Sequence, residues 1–236
     1  MNGRMPRILG SFAVLSACSA PLSATPPPPS GATPTSLSKP DGGGIGRDSD
    51  AAPPGWFRAG SPGSPYEIGV DSSVAWNGSQ SGTLKSKPDR DAYEGEYIAY
   101  LQTISAKTFA AKWVELSAYV RTDGKSPSAA LWMRIDNQDG SWILDNMQDR
   151  VVSGPHEWTR CIVRMPITDA DARIFFGATF SGEGQMWFDD VTIRPIDPPP
   201  DANRQFLKGC CNRKATEGMR DEPVNLDFEA AVPAKR

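Results

Sequence analysis

Seven residues from the middle of the sequence combine groups suited to binding: Tyr119, Trp132, Arg134, Asp136, Asn146, Gln148 and Arg150. Flat aromatic rings beside fixed amide, carboxylate and guanidinium groups suit a sugar. The C–H faces of a sugar ring stack on an aromatic side chain, and its hydroxyls need paired donors and acceptors. A plain solvated strand face would be rich in Lys, Glu and Thr instead. A second reading of the same residues stands beside this one. A loop covers the face, and Arg134 packs on a tryptophan and pairs with Asp136 or Asp145.

Catalytic chemistry has little to work with. The chain holds one histidine, His156, in the turn-like "SGPHEW", with no nucleophile motif near it. Glycoside hydrolysis needs two carboxylates flanking a bond at a defined separation. Asp136 and Asp145 are the candidate pair, and no motif supports them. A net charge of -3 gives no electrostatic footprint for nucleic acid.

The elements that carry these residues are strands. Glycine and proline number 22 each and long helix-period patterns are missing, so turns are frequent and helices few. Alternating apolar and polar residues predict strands at Tyr66–Asp71, Gly82–Ser86, Tyr97–Ile104, Trp113–Thr122, Ala129–Asp136, Trp142–Met147, Trp158–Met165, Arg173–Ser181 and Gln185–Arg194. Between them lie turn signals such as "WNGSQSG", "TDGKSPS" and "NQDG", with Asp139-Gly140 as a hairpin turn. "ISAKTFAAK" has room for one helical turn. About nine strands over ~140 residues predict an all-β jelly roll or sandwich. Alternation then sorts the faces. Val114, Leu116, Ala118 and Val120 oppose Trp113, Glu115, Ser117, Tyr119 and Arg121. Leu131, Met133 and Ile135 oppose Trp132, Arg134 and Asp136. Ile174, Phe176, Ala178 and Phe180 oppose Arg173, Phe175, Gly177 and Thr179. The aliphatic faces are expected to meet in the core.

Three stretches, "GWFRAGSPGSPYEIGVD", "ALWMRIDNQDGSWILDNMQDR" and "GQMWFDDVTI", resemble a bacterial galactose-binding-like jelly-roll module. That group is related to carbohydrate-binding modules and is also found appended to AraC-type regulators. The resemblance covers roughly residues 55–196 and implies a jelly-roll β-sandwich with a ligand-binding face. In the carbohydrate-binding relatives an aspartate pair near the last strand often helps to hold a structural calcium, and Asp189 and Asp190 match it. Calcium takes six to eight oxygen ligands. A carboxylate satisfied by N–H donors without metal is the competing reading.

Modules of this superfamily commonly open with a strand of the form Asn-x-x-Phe-Glu, followed closely by Gly-Trp. Here Gly55-Trp56 has no such strand before it, and "NLDFE" (Asn225 to Glu229) lies near the other end. Two readings follow, the opening of a second module or, as expected here, a circular permutation. A strand at 222–230 returns across a linker at 197–221, buries Leu226 and Phe228, and brings Glu229 towards Asp189 as a second calcium ligand.

The start of the chain reads as a targeting segment. Arg4 and Arg7 precede an apolar run too short for a convincing membrane span. The run ends in "LSAC", which resembles a bacterial lipobox and implies cleavage after residue 17 and lipidation of Cys18. Residues 18–54, rich in Pro, Gly, Ser and Thr, are expected to form a disordered tether. These features predict an exported protein, lipid-anchored in a bacterial cell envelope, at the outer membrane if the organism is Gram-negative. Of the other cysteines, Cys161 falls on a core face, whereas Cys210 and Cys211 adjoin in a polar stretch whose pairing spacing does not define. Two functions follow. One is a membrane-anchored, non-catalytic module that binds carbohydrate or a similar polar ligand. The other is a structural or protein-interaction lipoprotein domain with no small ligand.

Overall fold

The computed structural model describes residues 52–88, 95–210 and 219–230. The signal segment 1–17, Cys18 and the tether up to residue 51 lie outside the described residues, as does Cys211. The strands are β1 (Phe57–Gly60), β2 (Tyr66–Asp71), β3 (Ser81–Ser86), β4 (Ile98–Ser105), β5 (Trp113–Asp123), β6 (Ser128–Asp136), β7 (Trp142–Asp145), β8 (Val152–Ser153), β9 (His156–Pro166), β10 (Arg173–Ser181), β11 (Gln185–Ile196) and β12 (Leu207–Gly209). A 3-10 turn at Lys107–Phe109 falls inside "ISAKTFAAK". Sheet I has the order β1-β4-β10-β6-β7-β12, with β8 pairing β6, and sheet II has the order β2-β3-β11-β5-β9. All the pairings are antiparallel. The fold is an all-β jelly-roll sandwich.

The aliphatic faces read from alternation do form the core. Val114, Leu116 and Val120 of β5, Leu131, Met133 and Ile135 of β6, and Ile174, Phe176 and Phe180 of β10 are all buried. Burying each such side chain stabilises the fold by about 1.5–3 kcal/mol. Cys161 packs among them, and burial pushes its thiol up to about 11. It behaves as a small apolar side chain rather than a nucleophile.

Two connections decide where the polar faces go. β6 and β7 form a hairpin in sheet I, closed by Asn137 N–H donating to the Ser141 carbonyl at 2.8 Å, with Gly140 at φ +86°. By contrast, the turn between β5 and β6 carries the chain from sheet II to sheet I. β5 and β6 therefore present their outer faces on opposite sides of the sandwich.

The expected linker at 197–221 is partly built into the domain. Leu207–Gly209 add β12 to the edge of sheet I against β7, and the Phe206 ring lies 6.2 Å from Trp113. Three residues are too few for alternation to announce a strand. The segment at 222–230 also departs from expectation: it packs on the sandwich as irregular turns and adds no strand. Asn225 and Phe228 have φ of 50° and 61°, outside the strand region, and Phe228 N–H donates to the Asn225 carbonyl. The turn still delivers Phe228 to the core. Its ring stacks on Trp56 at 5.1 Å and lies edge-on to Phe188 at 4.8 Å. Leu226 is only partly buried.

Much of the surrounding structure is shaped to this segment. Trp56 Nε1 donates to the Asn225 carbonyl at 2.8 Å, and Gln102 bonds both the carbonyl and the N–H of Val224. A bulge in β11, with Asp190 at φ 50°, frees Val191 N–H to donate to the Leu226 carbonyl at 3.1 Å. At Gly82 a Cβ would stand 2.6 Å from the Phe228 ring, so the glycine is the space the ring occupies.

Candidate functional site

The outer face of sheet I gathers three of the seven expected residues. Trp132, Arg134 and Asp136 alternate along β6, and register sets Gly177, Phe175 and Arg173 of β10 beside them. On the other flank Leu144 and Trp142 of β7 lie opposite Arg134 and Asp136. Asp136 accepts from Arg134 Nε at 2.5 Å and from Arg173 Nη2 at 3.2 Å, and all three side chains are at least nine-tenths buried. The Arg134 guanidinium lies 4.8 Å from the Trp142 ring centre, and that of Arg173 lies 5.2 Å from Phe175. The polar groups are thus locked by each other and by flat rings.

Trp132, Trp142 and Phe175 themselves are only half-buried. The Nε1 edge of Trp132 is buried and has no hydrogen-bond partner among the described residues, and the same holds for Thr103 Oγ1 on β4. A buried unpaired donor costs about 1–3 kcal/mol. Stability alone would not select it. Gly177, between Leu101 and Trp132, leaves a gap in this row, and a Cβ there would run into the Tyr100 backbone. Trp142, Phe175 and Arg173 were not among the expected site residues. The signal for Phe175 and Arg173 was present, because both fall on the polar face of their strand.

The other expected residues lie elsewhere. Arg150 sits at the β9 edge of sheet II, bonding Asp145 Oδ2 at 2.8 Å and the Ile162 carbonyl at 3.3 Å. It lines a cleft of about 670 Å³ with Arg160, Arg164 and Arg204. Asn146 and Gln148 belong to the turn leading into it, where Gln148 N–H donates to Asn146 Oδ1. Tyr119 lies on the outer face of sheet II, paired in register with Asp189 and Arg160. A single groove holding Tyr119, Trp132, Arg134 and Gln148 does not form. The crossing between β5 and β6 puts Tyr119 and Trp132 on opposite sides of the molecule.

Sheet II has its own concentration of polar and aromatic groups. Glu115 is buried and receives Arg164 Nε at 2.8 Å and Arg194 Nη2 at 2.7 Å, while Arg160 Nη2 lies 3.6 Å away. Burial alone would raise its pKa, but the hydrogen bonds and charges of Arg194 and Arg164 hold it below the usual carboxylate range. Trp76 is 44% exposed and stacks on Tyr119 with ring centres 3.9 Å apart, beside Trp158 at 6.2 Å. Trp76 falls within a turn signal and was not singled out in the sequence.

The expected calcium ligands do not fit a metal. Asp189 is buried, and its oxygens accept N–H groups of Trp76, Asn77 and Asp190 at 2.7–3.0 Å. Burial raises its pKa against those three bonds. Glu229 does come back to the same loop, but it clasps Ser79 N–H at 2.7 Å and the Ser79 hydroxyl at 2.5 Å. These bonds, led by the Ser79 hydroxyl, lower its pKa. Donor hydrogens face both carboxylates where a cation would need free lone pairs. No group of three metal-binding side chains occurs among the described residues.

No family model matches the chain. It is 32% identical over 176 residues to an uncharacterized HTH-type transcriptional regulator, YbfP, of Bacillus subtilis (strain 168), across 74% of this chain and 56% of that protein. The chain thus spans little more than half the length of this curated relative. Among solved structures it is similar to the C-terminal family 22 carbohydrate-binding module of Clostridium thermocellum Xyn10B. The TM-score is 0.45 at 14% identity, covering 60% of this chain and 87% of the module. TmCBM61 in complex with β-1,4-galactotriose gives a TM-score of 0.42 at 13% identity, covering 60% and 88%. The family 11 module of Clostridium thermocellum gives 0.41 at 10% identity, covering 61% and 89%.

Proposed function

We propose that the chain is a non-catalytic carbohydrate-binding module, held at a bacterial membrane through lipid on Cys18, and that its ligand lies on the outer face of sheet I. One observation carries the reading: half-buried Trp132, Trp142 and Phe175 surround a buried Arg134–Asp136–Arg173 network. The rings offer surfaces for sugar C–H faces, and the fixed guanidiniums and carboxylate hold those surfaces without reorganisation. Catalysis finds no support in the carboxylates. Asp145 pairs in register with Met133 and so shares the core-facing side of sheet I, while Asp136 faces outward. The two cannot flank one glycosidic bond.

Titration calorimetry of the full chain against neutral oligosaccharides chosen from a glycan array tests this. Trp132→Ala is expected to abolish the heat of binding while leaving the melting transition cooperative. A folded chain that binds no glycan would favour the structural or protein-interaction domain. The anchor has its own test. Expressed in bacteria, the chain should incorporate labelled palmitate, and Cys18→Ser should end the labelling and release the protein from membranes.

A further inference from the structure

The outer face of sheet II pairs an aromatic platform with an unbalanced cluster of guanidiniums. Trp76 stacks on Tyr119 with their planes 15° apart, and Trp158 flanks them. The platform is fixed from behind, because Asp189 Oδ2 accepts both Trp76 N–H and Asn77 N–H. Tyr119 stands directly opposite Arg160 in the ladder between β5 and β9, and Glu115 stands opposite Arg164. Arg160, Arg164 and Arg194 all converge on Glu115, so three positive charges share one buried negative charge. Arg160 is the least committed of the three to Glu115: its Nη2 lies 3.6 Å from that carboxylate, against 2.7–2.8 Å for the other two, and its closer bond, at 3.1 Å, goes to the Ser117 hydroxyl. Arg160 and Arg164 also line the cleft at the β9 edge, where Arg150 and Arg204 continue the row. Carboxylates line this track too: Asp145 and Asp149 pair with Arg150 and Arg204, and Glu157 lies 3.7 Å from Arg121. Asp201 lines the same cleft and Asp189 stands beside Tyr119 on the side away from Arg160, so the excess of positive charge is local, centred on Arg160.

We infer that this face is a second binding surface, for an acidic polysaccharide whose rings stack on Trp76 and whose carboxylate or sulfate groups pair with Arg160. Charge complementarity favours an anion, and an exposed flat ring beside the charge favours one borne on a sugar ring. A neutral glycan on sheet I and an acidic one on sheet II would occupy opposite sides of the sandwich.

Affinity electrophoresis of the full chain through polygalacturonate, with dextran as the uncharged control, tests the inference. Retardation by polygalacturonate alone is expected, weakening as salt is raised. Trp76→Ala and Arg160→Ala should each weaken it about ten-fold, and Arg160→Lys should weaken it less, because charge survives without the planar fork. Trp132→Ala should leave it unchanged, which separates this surface from the face on sheet I. The inference is overturned by absence of retardation, by Trp76→Ala and Arg160→Ala variants retarded as strongly as the unchanged chain, or by loss on Trp132→Ala. Sedimentation with phosphatidylglycerol vesicles that excess polygalacturonate fails to compete would overturn it in favour of a lipid surface.

Discussion

The two outer faces use one chemical device in opposite ways. On sheet I, Asp136 lies between two arginines that, like it, are at least nine-tenths buried. On sheet II, Glu115 is equally buried, yet Arg160, Arg164 and Arg194 reach it from positions that are 34–59% exposed. Guanidiniums sealed beside their carboxylate are fixed structure, and a ligand meets the rings they hold. Guanidiniums reaching in from water keep donors free and can answer to an anion. Burial of the arginine, more than its presence, separates a platform from a contact.

Removing the carboxylates breaks the comparison most directly. Asp136→Asn leaves two buried guanidiniums facing each other and should cost about 4 kcal/mol in urea unfolding. Glu115→Gln should cost less, about 2 kcal/mol, because its arginines can swing out to water. Equal losses would show that exposure does not separate the two clusters.

Acid sharpens the contrast. Glu115 has a folded pKa below its unfolded value of about 4.3. The stability it contributes is complete above that value and is lost as pH falls through the folded pKa. Stability measured from pH 6 downward should therefore drop less steeply in Glu115→Gln than in the unchanged chain. The smallest effect belongs to Arg160→Ala, which should move the unfolding midpoint by no more than about 0.5 kcal/mol in free energy. A large loss there would make Arg160 part of the scaffold.

Strand positions were legible because alternation is a local signal. Arg173–Ser181 and Tyr66–Asp71 agree with β10 and β2 at both ends. Which sheet a strand joins is not local. Tyr119 and Trp132 sit on strands consecutive in sequence with similar polar faces, and only the path of the chain between β5 and β6 shows that they look in opposite directions. The segment from Asn225 to Glu229 failed differently. Its residues alternate as a strand does, but left-handed turns at Asn225 and Phe228 override the pattern. An Asn adopts that conformation readily; a Phe does so only where its surroundings compensate, and nothing in a single sequence displays the Trp56 and Gly82 that receive it.

The contact between Trp56 and the Asn225–Phe228 turn spans 169 residues of sequence. It imposes a timetable on folding. Phe228 is synthesised after every strand of the sandwich, and domains begin to fold from the N-terminal side during synthesis. Until Phe228 arrives, the rings of Trp56, Tyr100 and Phe188 surround an open notch rather than a finished core. A half-made molecule therefore displays a sticky aromatic socket, the kind of surface that chaperones hold and that neighbouring chains can wrongly fill.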